Sequence, residues 1–171
     1  MLGIQLEDNS QPKRAFRGNE EAIHVRNHHR RQFTETGISG RNRETLAMAF
    51  ADILNNEARQ LEAAGVDLIQ FDEPAFNVFM EDVKEWGIEA LHRAIEGLSC
   101  LTAVHICYGY GIEENLRWKD TLGGEWRQYE DIFPALNDSR IDQVSLECAD
   151  SRVPLSLMGL LKDKGLVRKS L

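Results

Sequence analysis

Six side chains of this 171-residue chain have the types and spacing from which a catalytic or metal site could be built. Asp72 and Glu73 are adjacent carboxylates, His105 and Cys107 stand two apart in an apolar run, and Glu147 and Cys148 close another such run. Residues two apart on a β-strand point to the same face, so the His105 imidazole and the Cys107 thiolate would share one. Joined by the Glu147 carboxylate from a neighbouring strand, they offer nitrogen, sulfur and oxygen. That donor set suits zinc better than magnesium or calcium. A plainer reading stands beside it: His105 and Cys107 fill the top of a core, and Glu147 caps a helix. Of Asp72 and Glu73, one would cap the following helix, and the other would face the site and hold a substrate ammonium.

The elements that must position these residues follow from hydrophobic period. Leu46, Phe50, Ile53, Leu54 and Leu61 recur at helical spacing. They predict a helix from about Arg41, with Asn42 as N-cap, Glu44 at its positive end and Gly65 as its stop. Val66 to Phe71 reads as a buried strand. Ala75 to Leu98 is helical with an interruption near Trp86–Gly87, and His92 lies on its apolar stripe as a satisfied, partly buried histidine. Leu101 to Cys107 is a second strand. A helical part near Trp126 to Leu136 leads to a third strand, Ile141 to Glu147. Pro154 to Lys164 is a short helix with proline in its first turn, and Leu166–Val167 starts a fourth strand. Strands alternating with helices imply a parallel sheet. Ligands of such folds bind at the carboxyl ends of the strands, where Asp72, His105, Cys107 and Glu147 all fall. A full (β/α)₈ barrel needs at least about 200 residues, so this chain supplies about half of one.

Composition narrows the classes further. At 42% hydrophobic the chain can bury a core, and the three cysteines, an odd number, argue for a reducing compartment over a disulfide framework. Cys100 and Cys148 read as structural. No run approaches the ~20 apolar residues of a membrane span, and the first residues lack the pattern of a secretory signal, which leads to a cytoplasmic expectation. The net charge of −8 is uneven: residues 1–43 hold eight Lys/Arg against five Asp/Glu, while the rest holds 12 against 23. The acidic body argues against nucleic acid as a partner. Residues 1–40 read as an irregular basic N-terminal arm, in which His28-His29-Arg30-Arg31 is a solvated patch. Gly109-Tyr110-Gly111 lacks the third glycine of a dinucleotide fingerprint and reads as a loop beside the site.

Four ordered motifs then agree. Glu62-Ala63-Ala64-Gly65-Val66-Asp67, Ile69-Gln70-Phe71-Asp72-Glu73-Pro74-Ala75, His105-Ile106-Cys107-Tyr108 and Val144-Ser145-Leu146-Glu147 resemble the C-terminal catalytic domain of cobalamin-independent methionine synthase, in its short core form. The resemblance runs from about Arg41 to Val167, so residues 41–171 are expected to be a partial TIM barrel of that type. It implies a zinc-dependent methyltransferase that makes methionine from homocysteine. His105, Cys107 and Glu147 match three zinc ligands, and Asp72 matches the acid that binds the homocysteine amino group. The family's fourth ligand, a cysteine on a later strand, has no counterpart here, and neither does its proton-donating histidine. An insertion around Glu113 to Tyr129 lengthens the interval from His105 to Glu147. The implied donor is methyltetrahydrofolate or a methylated corrinoid, and Val78, which stands where folate-using members carry an acid, weighs against the folate. The competing expectation is a truncated, inactive zinc-binding or interaction fragment. An open half barrel would also expose a sheet edge through which the chain could form a homo-oligomer.

Overall fold

The computed structural model describes residues 3–6, 43–73, 76–77, 79–108, 113–148 and 151–169. Its centre is one five-stranded sheet in the order β1-β2-β3-β4-β5. The strands are β1 (Gly3–Leu6), β2 (Leu68–Glu73), β3 (Leu101–Ile106), β4 (Gln143–Glu147) and β5 (Gly165–Lys169). Strands β2 to β5 are mutually parallel, and β1 lies antiparallel on the outer edge of β2, with Gly3 opposite Asp72 and Leu6 opposite Ile69. The parallel α/β expectation therefore holds. β1 was not expected, and the remainder of the expected arm, including His28 to Arg31, lies outside the described residues.

Period two sorts the strand residues between faces. Ile69, Phe71, Val104, Ile106, Val144 and Leu146 are all fully buried. They form the face against which the helices pack, each contributing about 1.5–3 kcal/mol by leaving water. α1 (Arg43–Ala63) buries Ala51, Leu54 and Ala58 there. It ends in a Schellman motif: Gly65, at φ +94°, donates to the Glu62 carbonyl, and Val66 donates to that of Leu61. This capping loop takes up Val66 and Asp67, so β2 begins two residues later than hydropathy alone suggests. α2 opens with an α-helical turn, Met80–Asp82, passes through a π-helical turn, Val83–Gly87, and ends as α-helix over Ile88–Ala94. The π-turn is the interruption expected near Trp86–Gly87.

α3 (Glu113–Asp120) occupies the expected insertion and α4 (Tyr129–Asn137) precedes β4. The expected helix near Trp126 starts three residues later, because Trp126 spends its backbone N–H on the Arg152 carbonyl, 2.9 Å away. Tyr108, Trp126, Tyr129 and Phe133 form a continuous buried aromatic cluster over the ends of β3 and β4, with ring centroids 4.8–5.3 Å apart along the chain of contacts. The segment after β4 is a 3₁₀ helix, Leu155–Leu160, shorter than the helix expected from Pro154 to Lys164.

Candidate metal centre

The opposite face of the sheet carries the polar residues. Asp72 is in register with His105, and His105 with Ser145. One step further, Ile106 is opposite Leu146, so Cys107 and Glu147 follow at the matching ends of β3 and β4. Neighbouring strands lie about 4.8 Å apart. The fold thus sets Asp72, His105, Cys107 and Glu147 along the carboxyl edge of three consecutive strands on one face, as the strand period implied.

Each of them has its own surroundings. Gln70, two residues before Asp72 on the same strand, donates its Nε2 hydrogen to Asp72 Oδ1 at 3.0 Å. Asp72 is half-buried, while Glu73 is buried and turns to the helix side. There it lines a cavity of about 420 Å³ between α1 and α2, together with Phe50, Phe76, Phe79 and Trp86. The two acids therefore serve opposite faces. Neither is the helix cap expected of one of them: α2 has Phe79 as its N-cap and no side-chain cap.

His105 Nδ1 lies 3.1 Å from Ser145 Oγ on the next strand. Cys107 and Glu147 are both buried, each about 8% exposed. Glu147 Oε2 is buried without a hydrogen-bond partner. An orphaned carboxylate oxygen in the interior is costly unless a cation or proton compensates it, so this atom suits a metal ligand better than a helix cap. Against that, no group of three His, Cys, Asp or Glu side chains among the described residues is gathered closely enough to hold an ion. The backbone places the donors, and their side chains do not converge.

An aromatic side chain follows next along the edge. Tyr108 is fully buried, its hydroxyl donates to Gln128 Oε1 at 3.1 Å, and burial, aided by the nearby Cys148 and Glu147, raises its pKa so that the phenol stays protonated. His92 lies away from this edge: its Nε2 accepts the Arg140 backbone N–H at 3.1 Å, and burial lowers its pKa. It is the satisfied histidine expected from its position. Cys100, Cys107 and Cys148 form no disulfide among the described residues, and burial raises the pKa of Cys100. Gly109-Tyr110-Gly111 and Val78 lie outside the described residues. Ser145 was not singled out in the sequence, although its place two residues before Glu147 puts it on the same face.

Comparison with known proteins shows what this parallel α/β sheet, with acids, imidazole and thiol at its carboxyl edge, is similar to. Residues 33–113 match the family described as cobalamin-independent synthase, catalytic domain. A methionine synthase of Saccharolobus islandicus (strain L.S.2.15 / Lassen #1) is 32% identical over 105 residues, covering 61% of this chain and 26% of the relative. One from Sulfurisphaera tokodaii is 30% identical over 106 residues, covering 62% of this chain and 26% of the relative. The solved structure of a B12-independent methionine synthase from Shewanella sp. W3-18-1, in complex with selenomethionine, is 61% identical, with a TM-score of 0.70 over 77% of this chain and 38% of that one. Over residues 33–113 the chain is thus similar to the catalytic domain of cobalamin-independent methionine synthases, and its four parallel strands match part of the TIM-type barrel of that neighbour. It spans about a quarter of the length of the curated relatives.

Proposed function

We propose that this chain takes part in zinc-dependent transfer of a methyl group to the thiol of homocysteine, forming methionine. The observation that carries the reading is the shared carboxyl edge of β2, β3 and β4, with the unpartnered Glu147 Oε2 buried beside Cys107. His105, Cys107 and Glu147 would hold the metal, supplying nitrogen, sulfur and oxygen, and the substrate sulfur could complete a tetrahedron. A bound zinc lowers the pKa of a coordinated thiol, so that it is a thiolate near neutral pH. Asp72, with Oδ1 already engaged by Gln70, would accept the homocysteine ammonium and orient the amino acid. The half-burial of Asp72 strengthens that ion pair relative to bulk water. Tyr108 and its aromatic neighbours keep water from the side of the site next to β3 and β4. The methyl donor would be methyltetrahydrofolate or a methylated corrinoid, and the setting cytoplasmic, without nucleic-acid or membrane partners. None of the described helices is long and apolar enough to cross a membrane.

A second reading has its own observation. The side chains of His105, Cys107 and Glu147 are not gathered, which favours an interaction fragment that holds no zinc and turns nothing over. One experiment separates the two. Zinc per chain is measured on protein purified under reducing conditions, for the wild type and for His105→Ala. About one zinc in the wild type, lost in the variant, supports the site and leads to a homocysteine-binding titration. Soluble wild-type protein without zinc refutes the methyltransferase reading for this chain.

A further inference from the structure

We propose that Asn77 is a positioning residue for the metal-ligand end of β3. Asn77 is 1% exposed, and its Nδ2 donates to the backbone carbonyl of Cys107 at 3.1 Å. The preceding carbonyl, that of Ile106, accepts the hydroxyl of the fully buried Tyr129 at 3.2 Å. β3 ends at Ile106. Two consecutive carbonyls at the strand's end are thus held by side chains from two different elements, Asn77 following β2 and Tyr129 opening α4. With the carbonyls of both peptide groups that flank the Cys107 α-carbon held, neither swivels freely, and such swivelling is the motion that would redirect the Cys107 thiol.

Asn77 also stands five residues after Asp72, so its amide ties the segment carrying the substrate acid to the strand carrying His105 and Cys107. The amide is held in a setting that does not satisfy it fully: Asn77 Oδ1 is buried with no partner. An apolar side chain of similar volume would avoid that cost, and what the amide supplies in its place is the bond to Cys107. Its side chain also hydrogen-bonds that of Tyr129, so the two groups that hold the end of β3 are themselves joined.

The proposal rests on the reading of His105, Cys107 and Glu147 as zinc ligands. Its test uses the full chain as wild type, Asn77→Leu and Tyr129→Phe. Zinc affinity is measured by competition with a chromophoric chelator, and folding by circular dichroism and thermal melting. Asn77→Leu keeps the volume and removes the donor. It is expected to lower zinc affinity about tenfold, in the range of outer-shell effects at metal sites, while the folded signal is kept. Tyr129→Phe, which removes the hydroxyl that holds the neighbouring Ile106 carbonyl and meets Asn77, is expected to move the affinity in the same direction. If Asn77→Leu does not fold, Tyr129→Phe decides the matter. Folded variants that bind zinc as tightly as the wild type overturn the proposal and leave the metal reading standing. A wild type that binds no zinc overturns the metal reading itself.

Discussion

Ser145→Ala probes the His105 imidazole with little disturbance elsewhere. Ser145 is 6% exposed and sits in register with His105 on the adjacent strand, with Oγ 3.1 Å from Nδ1. If the ring donates its Nδ1 hydrogen to that oxygen, the tautomer that leaves the Nε2 lone pair for a metal is favoured. Removing one neutral hydrogen bond costs about 0.5–1.5 kcal/mol. At about 1.4 kcal/mol per decade, that is roughly a two- to twelvefold loss of zinc affinity, with about fivefold as the central value. The cavity left by one oxygen is small, so melting should shift little. The assay is a chelator-competition isotherm at constant pH on wild type, Ser145→Ala and Ser145→Thr, together with ¹⁵N spectra of the histidine side chains to read the tautomer. Thr keeps a hydroxyl and should stay near the wild type. The reasoning is refuted if Ala binds zinc as tightly as the wild type, or if Thr falls as far as Ala with the fold intact.

Two further expectations lie outside the site. Glu62 Oε1 accepts the backbone N–H groups of Ser99 and Cys100, both at 2.6 Å, and the Ser99 hydroxyl at 3.0 Å; these bonds, the Ser99 N–H first, hold its pKa below the usual 4.5. A carboxylate with a depressed folded-state pKa adds stability that is full above the unfolded value and lost as pH falls through the folded one. Glu62→Gln should therefore flatten the pH dependence of melting below about 4.5, and an unchanged acid slope would remove Glu62 from the account. β5 pairs only with β4 among the described residues, and Leu166 on it is 44% exposed. If this edge joins two copies, light scattering should give twice the 19.5 kDa chain mass and Leu166→Lys should return the single mass, whereas a wild-type monomer at high concentration counts against pairing.

The parts of this fold that could be read along the chain are those decided by local period. β2 alternates buried and half-buried residues from Ile69 to Glu73, while β3 and β4 bury most of their residues on both faces; parity alone, counted in twos, sets His105, Cys107 and Glu147 on a common face. The same count resolves Asp72 from Glu73, since adjacent strand residues point opposite ways; the helix-cap rule obscured this. α3 escaped notice because its eight residues, Glu113 to Asp120, are largely charged, and Leu116 within them is 52% exposed, leaving no apolar stripe to detect. β1 is four residues long, and its order comes from pairing with a strand more than sixty positions away, so its own residues carry little of the signal. Ser145 was within reach of the same alternation once Glu147 was placed. Asn77 was not: an asparagine shortly after Asp-Glu-Pro reads as a turn residue, and only the approach of β3 shows that its amide serves the Cys107 carbonyl. The face on which a residue at a strand end falls is thus encoded locally, by parity. The groups that hold the backbone there still come from elements distant in sequence, and for them burial of a polar side chain, visible only after folding, is the informative sign.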